Sequence, residues 1–229
     1  MSDNDKLIPG NIKEPRLILC EGQGDASFLK HLIKKCTLPG FDVFFPSNPY
    51  TEIGGVNGFK EMLEAFSFFH GFRTLKGLLI LSDNDDNPAN AFLSLSEVIS
   101  SAEGYKAPSQ PFEVVRTEGV PPLVVVMLPW RDRPGNIETL CLISSYNSYP
   151  PIRACLDEYV TCTGVNTWGL TKQSKMKMRC MLSSTCKSDP NTSLVYAWSR
   201  VENLIPLNHQ CFDQIADFLH RFDDYILQS

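Results

Sequence analysis

GLLILSDNDDNP, residues 77–88, is the stretch around which the rest of the chain is organised. Four consecutive aliphatics, Leu78–Leu81, stop at Ser82, and three carboxylates come within the next four positions, Asp83, Asp85 and Asp86. A continuous apolar run of this length bounded by turn residues predicts a strand buried on both faces, the pattern of a parallel sheet. In open α/β sheets ligands bind beyond the carboxyl ends of the strands, so the acidic turn stands where such a fold places its chemistry. Taken alone, Asp83–Asn87 before Pro88 reads as an ordinary strand-to-helix turn, because Asp and Asn cap helices and tolerate turn dihedrals. The remainder of the sequence decides between the two.

Upstream, Arg16–Cys20 is a second short apolar strand, and Glu21-Gly22-Gln23-Gly24-Asp25 ends it. Phe28, Leu29, Leu32, Ile33 and Cys36 then recur at helical spacing, with Asp25 as the expected N-cap. Phe41–Phe45 is a further strand before Pro46. Gly54-Gly55-Val56-Asn57-Gly58 leads into a helix carrying Phe59, Met62, Leu63, Phe66 and Phe69. Asn87-Pro88 opens the helix after the acidic turn, with proline in its first turn. Strands alternating with helices at these lengths imply βαβ crossovers and a parallel sheet. Phe112–Arg116 and Leu123–Leu128 are two more strand candidates, and Gly135 or Asn136 can cap a helix starting Ile137-Glu138-Thr139.

From Pro150 the strand signal fades. Pro151–Cys162 and Thr171–Leu182 read as helices, Lys187–Pro206 as a connection, and Phe212, Ile215, Leu219, Phe222 and Ile226 as one terminal helical face. The expected organisation is a lead-in over 1–15, a Rossmann-like α/β core over 16–149, and a helical part over 150–229 packed on it. The fold class is thus α/β, with a mostly parallel sheet flanked by helices.

The 229 residues, 43% apolar and 21% charged, carry a net charge of −5. That balance argues against broad electrostatic binding of nucleic acid, although a local basic patch or a divalent cation reverses the field at one site. Eight cysteines are scattered without a Cys-x-x-Cys pair, and the polar N-terminus has no apolar targeting core. Reduced thiols in a soluble cytoplasmic protein are the expectation. No apolar run approaches the ~20 residues that span a membrane.

Four carboxylates share one kind of position, the boundary between a strand and the next turn or helix: Glu21, Asp83, Asp85 and Glu138. In a parallel sheet they would converge at one end, repel one another, and favour a hard cation with oxygen ligands such as Mg²⁺. Lys172, Lys175, Lys177 and Arg179 form a basic cluster in this acidic chain. Lys175 and Lys177 point in different directions on a helix, so one at most reaches such a centre.

These motifs, LILCEGQGD, GGVNGF and LLILSDNDDNP in this order, resemble the TOPRIM domain of topoisomerases, primases and small nucleases. The later segments PGNIETLCL and SKMKMRCML narrow the likeness to TOPRIM proteins related to the OLD (overcoming lysogenization defect) nucleases. The resemblance runs from Arg16 to Phe222 and implies a metal-dependent nuclease, a hydrolase of phosphodiester bonds. By that resemblance Glu21 is a metal ligand or general base, Asp83 and Asp85 hold Mg²⁺, for which Mn²⁺ substitutes, and Glu138 assists a second ion. Lys175 or Lys177 faces the transition-state charge. Asp86 offers a second register for the acidic pair, or a capping role.

The implied partner is DNA or RNA. No glycine-rich phosphate loop ending in Lys-Ser/Thr is present and the net charge is acidic, which leaves room for a regulatory or effector subunit active only with a separately encoded ATPase. A nucleotide-binding or nucleotidyl-transferring protein would use the same acidic site, and a homodimer is a further alternative. No membrane partner is expected.

Overall fold

In the computed structural model, which describes residues 10–201 and 203–228, five strands form one sheet: β1 (Arg16–Cys20), β2 (Asp42–Phe44), β3 (Gly77–Asp83), β4 (Val114–Val115) and β5 (Leu123–Leu128), in the order β2-β1-β3-β5-β4. The first three and β5 run parallel, and β4 alone pairs antiparallel at the edge, on β5. Every residue of β3 and β5 is buried, which is why both read as unbroken apolar runs: a parallel sheet is covered on both faces.

Nine α-helices are assigned among the described residues: α1 (Gln23–Lys35), α2 (Phe59–Phe66), α3 (Pro88–Ser101), α4 (Ile137–Ser148), α5 (Pro150–Cys162), α6 (Leu170–Thr185), α7 (Leu194–Arg200), α8 (Asp213–His220) and α9 (Phe222–Gln228). Alternate strand residues divide between two apolar clusters. Ile18, Leu79, Leu81, Val124 and Val126 pack with residues of α1, α4, α6, α8 and α9. Leu17, Leu19, Leu78, Ile80 and Val125 pack with α2 and α3. The fold is therefore Rossmann-like α/β, a mostly parallel sheet between two helical layers.

The topology selects one crevice. The chain moves outward from β1 to β2 with α1 on one face, then back past β1 to β3 with α2 on the other, and onward to β5 with α3 on that same second face. Opposite directions with helices on opposite faces keep a single crossover hand. The direction changes between β1 and β3, so the crevice at the carboxyl ends of these two strands is the switch point where such folds bind ligands. Cys20 lies beside Leu81 in the register, which places Glu21 next to Ser82 and Asp83.

Several boundaries differ from the sequence expectation. Residues 10–15, expected as a lead-in, are tied down: Ile12 is buried, Asn11 bridges to His70, and the backbone N–H groups of Lys13 and Glu14 donate to Asp42 at 2.5 and 2.7 Å. Residues 1–9 of that lead-in lie outside the described residues. The expected connection over 187–206 contains α7, whose Leu194 and Ala197 are buried; its polar, proline-flanked surroundings mask a short helix. The terminal apolar face is split into α8 and α9, yet all five of its apolar residues are buried. The later helices complete the cluster that contains α1 and α4. An ion pair joins them to the first strand, with Arg16 Nε and Nη2 each 2.6 Å from the Asp223 carboxylate.

At Gly58, before α2, a Cβ would lie 2.0 Å from the Ile53 carbonyl oxygen and 2.6 Å from Pro46 Cβ. The first neighbour is backbone, so Gly58→Ala is expected to destabilise by about 1–3 kcal/mol, with the melting temperature falling about 2–4 °C per kcal/mol for a chain of this size. An unchanged melting temperature would show that the 53–58 connection yields freely.

Candidate active site

Glu21 follows β1 and is held from the neighbouring strand. Its Oε1 accepts a short hydrogen bond from the Ser82 hydroxyl and another, 2.8 Å long, from the Asp83 backbone N–H. Asp83, the last residue of β3, is buried and accepts from the Ile137 N–H at 3.1 Å. That donor belongs to the first turn of α4, whose partial positive charge favours a carboxylate. Asn136 caps the same helix, accepting from the Thr139 N–H at 3.1 Å. Glu138 is the next residue of this turn, and its Oε2 is buried without a hydrogen-bond partner.

Burial and repulsion define the electrostatics. Burial, reinforced by the charges of Glu21, Asp25 and Glu138, pushes Asp83 well above the usual carboxylate range. Burial followed by repulsion from Glu21 and Glu138 raises Asp25 to about 7. Glu138 is raised as well, chiefly by burial. Lys175 on α6 counters these charges. Burial alone would lower it, but Glu138, Asp83, Glu21 and Asp85 outweigh that effect and hold its ammonium above its ordinary value.

The two lysines of the sequence motif go different ways. Lys175 answers the carboxylates, whereas Lys177 Nζ lies 2.7 Å from Asp157 Oδ1 on α5 and is engaged there. Two residues on a helix are separated by about 200° around its axis, so only one lysine turns to the crevice. Lys177, a candidate in the sequence, is therefore not brought to the carboxylates.

Asp85 takes a left-handed backbone conformation (φ 50°) and is exposed. Its carbonyl accepts from the Gly135 N–H at 2.7 Å, while the buried Asn84 side chain donates to the carbonyls of Arg131 and Arg133 at 2.6 and 2.8 Å. These bonds lock the turn after β3 to the loop after β5. Asp86 takes the capping role: its Oδ1 accepts from the Thr171 N–H of α6 at 2.9 Å. Glu21, Ser82, Asp83, Asp85 and Asp86 line one groove of about 420 Å³, which continues past Asn57 along Asn87, Asn90 and Ser94. The glycine-rich 54–58 segment thus borders the groove through Val56 and Asn57.

Asp25 is the contribution that the sequence concealed. Gly22, not Asp25, is the N-cap of α1, and the Asp25 carboxylate reaches back to accept the Gly22 N–H at 3.0 Å. A capping carboxylate and a member of an acidic cluster are indistinguishable in sequence, since both come after a strand at a helix start. Ser82 gave no signal either; its role appears only when β1 and β3 are side by side. Cys20, beside Glu21, is no nucleophile: burial pushes its thiol well above the ordinary value, and the thiolate is the reactive form.

Among the described residues no group of three His, Cys, Asp or Glu side chains closes into a ready-made metal cage. The donor chemistry nevertheless fits a divalent cation. The available donor atoms are carboxylate oxygens, a buried Glu138 oxygen lacks a partner, and burial first, then mutual repulsion, raises Asp83 and Asp25, with Glu138 raised chiefly by burial. A hard cation with oxygen ligands and retained waters relieves this repulsion.

Residues 15–224 match the profile of a family described as protein of unknown function (DUF3226). No curated protein and no solved structure matches the chain. With the match covering nearly its whole length, the chain belongs to the DUF3226 family.

Proposed function

We propose that this protein is a TOPRIM-like, divalent-metal-dependent phosphodiesterase acting on nucleic acid. One observation carries the reading: Glu21, Asp25, Asp83 and Glu138 gather around Lys175 at the switch point of a parallel sheet. Structural carboxylates are normally paired off; here burial and like charge raise three of them, a pattern that clusters at functional sites.

Glu21, Asp83, Asp85 and Glu138 are the residues that would hold Mg²⁺ or Mn²⁺. When bound, the cation supplies activation of water and neutralisation of phosphate charge. The chain's own groups divide the remaining work. Ser82 and the Asp83 N–H fix one Glu21 oxygen, leaving the other to face substrate or an attacking water as a base. The Ile137 N–H fixes Asp83. Lys175 presents a permanent positive charge to the transferring phosphoryl group, where charge develops in the transition state. No Ser or Cys nucleophile is required.

The test uses labelled single- and double-stranded oligonucleotides of DNA and RNA with Mg²⁺ or Mn²⁺. Lys175→Ala is expected to slow cleavage by about 10²-fold or more, the usual effect of losing a charge-stabilising donor. Lys177→Ala, which removes only the partly exposed pair with Asp157, is expected to leave the rate within about threefold, because such pairs contribute about 0–1 kcal/mol. Equal losses in both variants, or cleavage independent of divalent ions, would contradict the assignment.

A further inference from the structure

We propose that the solvent face of α6, together with Trp168 just before it, is a track for a single strand of nucleic acid, with the indole stacking on a base beside the carboxylate groove. The inference rests on the phosphodiesterase reading and names the form of substrate its site takes.

Three observations carry it. First, Trp168 differs from the other two tryptophans. Trp130 packs on Phe112 and Phe218, and Trp198 on Phe28 and His31, but Trp168 makes no aromatic contact among the described residues and is 49% exposed. The neighbouring Leu170 is exposed too. Single exposed apolar residues are ordinary, so position and rigidity decide what this pair does.

Second, the backbone that presents the indole is anchored to the candidate site. Trp168 N–H donates to the Val165 carbonyl at 2.9 Å, and its own carbonyl accepts from Gln173 Nε2 at 2.7 Å. Gly169 lies so close to the Asp86 carboxylate that a Cβ there would come within 1.8 Å of Oδ2. Asp86, which lines the groove, also accepts the Thr171 N–H. The indole is therefore one residue from a direct contact with the groove wall, on a backbone that is already ordered. Preorganisation of this kind lowers the entropic cost of binding.

Third, the charge pattern complements a polyanion. In a chain of net charge −5, α6 contains no acidic residue. Lys172, Lys175 and Arg179 recur at three- and four-residue spacing, so they share one face, and all three are exposed. Lys172 and Arg179 have no salt bridge among the described residues, and Arg179 lies close enough to Glu138 to offset a little of the rise that burial causes there. The stripe spans about 10 Å at 1.5 Å per residue, matching about three stacked nucleotides at 3.4 Å each. A base stacked at one end, phosphates along the stripe and Lys175 at the carboxylates together describe a single strand. In a duplex the bases are paired and already stacked, and offer the indole no free face.

Binding is read by fluorescence anisotropy of short labelled strands in EDTA, where cleavage does not enter. Trp168→Ala is expected to weaken single-strand binding about tenfold, within the range for loss of one base–aromatic stack, with Trp168→Phe restoring most of it and duplex binding nearly unchanged. Lys172→Ala combined with Arg179→Ala should flatten the salt dependence for every sequence. Single-stranded DNA and RNA of one sequence, run in parallel, show which of the two the track prefers. Unchanged single-strand binding by Trp168→Ala, or equal losses on single strands and duplex, overturns the track even if Asp83-dependent cleavage is found. Trp168-dependent binding in a protein that never cleaves with Mn²⁺ keeps the track and overturns the phosphodiesterase.

Discussion

Asp83→Asn is expected to reduce divalent-dependent cleavage by about 10³-fold while making the metal-free protein more stable than wild type. The two effects have one origin. Asp83 is buried among like charges that push its carboxyl well above the usual range, so keeping it ionised near neutral pH costs folding free energy. Asparagine retains an oxygen to accept the Ile137 N–H, which Asp83 now accepts at 3.1 Å, but it removes a charge from the cluster. Strain of this kind at a site, released by a variant that loses activity, is the stability–activity trade expected of functional residues. Rates on a labelled oligonucleotide and melting curves in EDTA measure both. Loss of activity together with loss of stability would mark Asp83 as a folding residue, and retained activity would remove it from the chemistry.

The second large effect concerns pH and metal together. In EDTA the folded state holds the Asp25 proton to about 7, whereas the ordinary value is 3.8. Between those two values the folded state binds more protons than the unfolded one. Stability from this group is therefore greatest at the acidic end of that window and declines as pH rises to about 7. Asp83 and Glu138, also raised, act in the same direction. A divalent cation should reverse the slope, because it binds the deprotonated carboxylates and displaces their protons. At a hundredfold excess over its Kd, Mn²⁺ adds about 2.7 kcal/mol, or roughly 5–10 °C in melting temperature for a chain of this size. Asp83→Asn should lose most of that gain. Melting temperatures that ignore both pH in EDTA and added Mn²⁺ would show that the carboxylates do not act as a cluster.

Glu21 and Asp83 were legible in the sequence because each ends a continuous apolar run, and such runs locate the carboxyl edge of a parallel sheet. Their direct link through Ser82 and the Asp83 N–H was not, since it depends on the register that sets Cys20 beside Leu81. The choice between Lys175 and Lys177 needed the packing of α6 against α4 and α5: helical spacing separates the two lysines but says nothing of which one faces the carboxylates after β1 and β3. Asp25 was read only as a cap, and it does cap, from the third position of α1; its place among the other carboxylates is a long-range property. One short element escaped for a related reason: α7 is seven residues long, too brief for periodicity to outweigh its Ser-, Asn- and Pro-rich surroundings, whereas β4 falls inside the strand expected over 112–116 and is only shorter.

If carboxylates following β1 and β3 and in the first turn of α4 hold a divalent cation at the switch point, crystals soaked in Mn²⁺ will show it by manganese anomalous scattering. The expected result is an anomalous peak bounded by Glu21, Asp83 and Asp85, with Glu138 beside it, and its disappearance in Asp83→Asn crystals. An ordered crevice without a peak under saturating Mn²⁺, or a peak bound elsewhere on the chain, would contradict it.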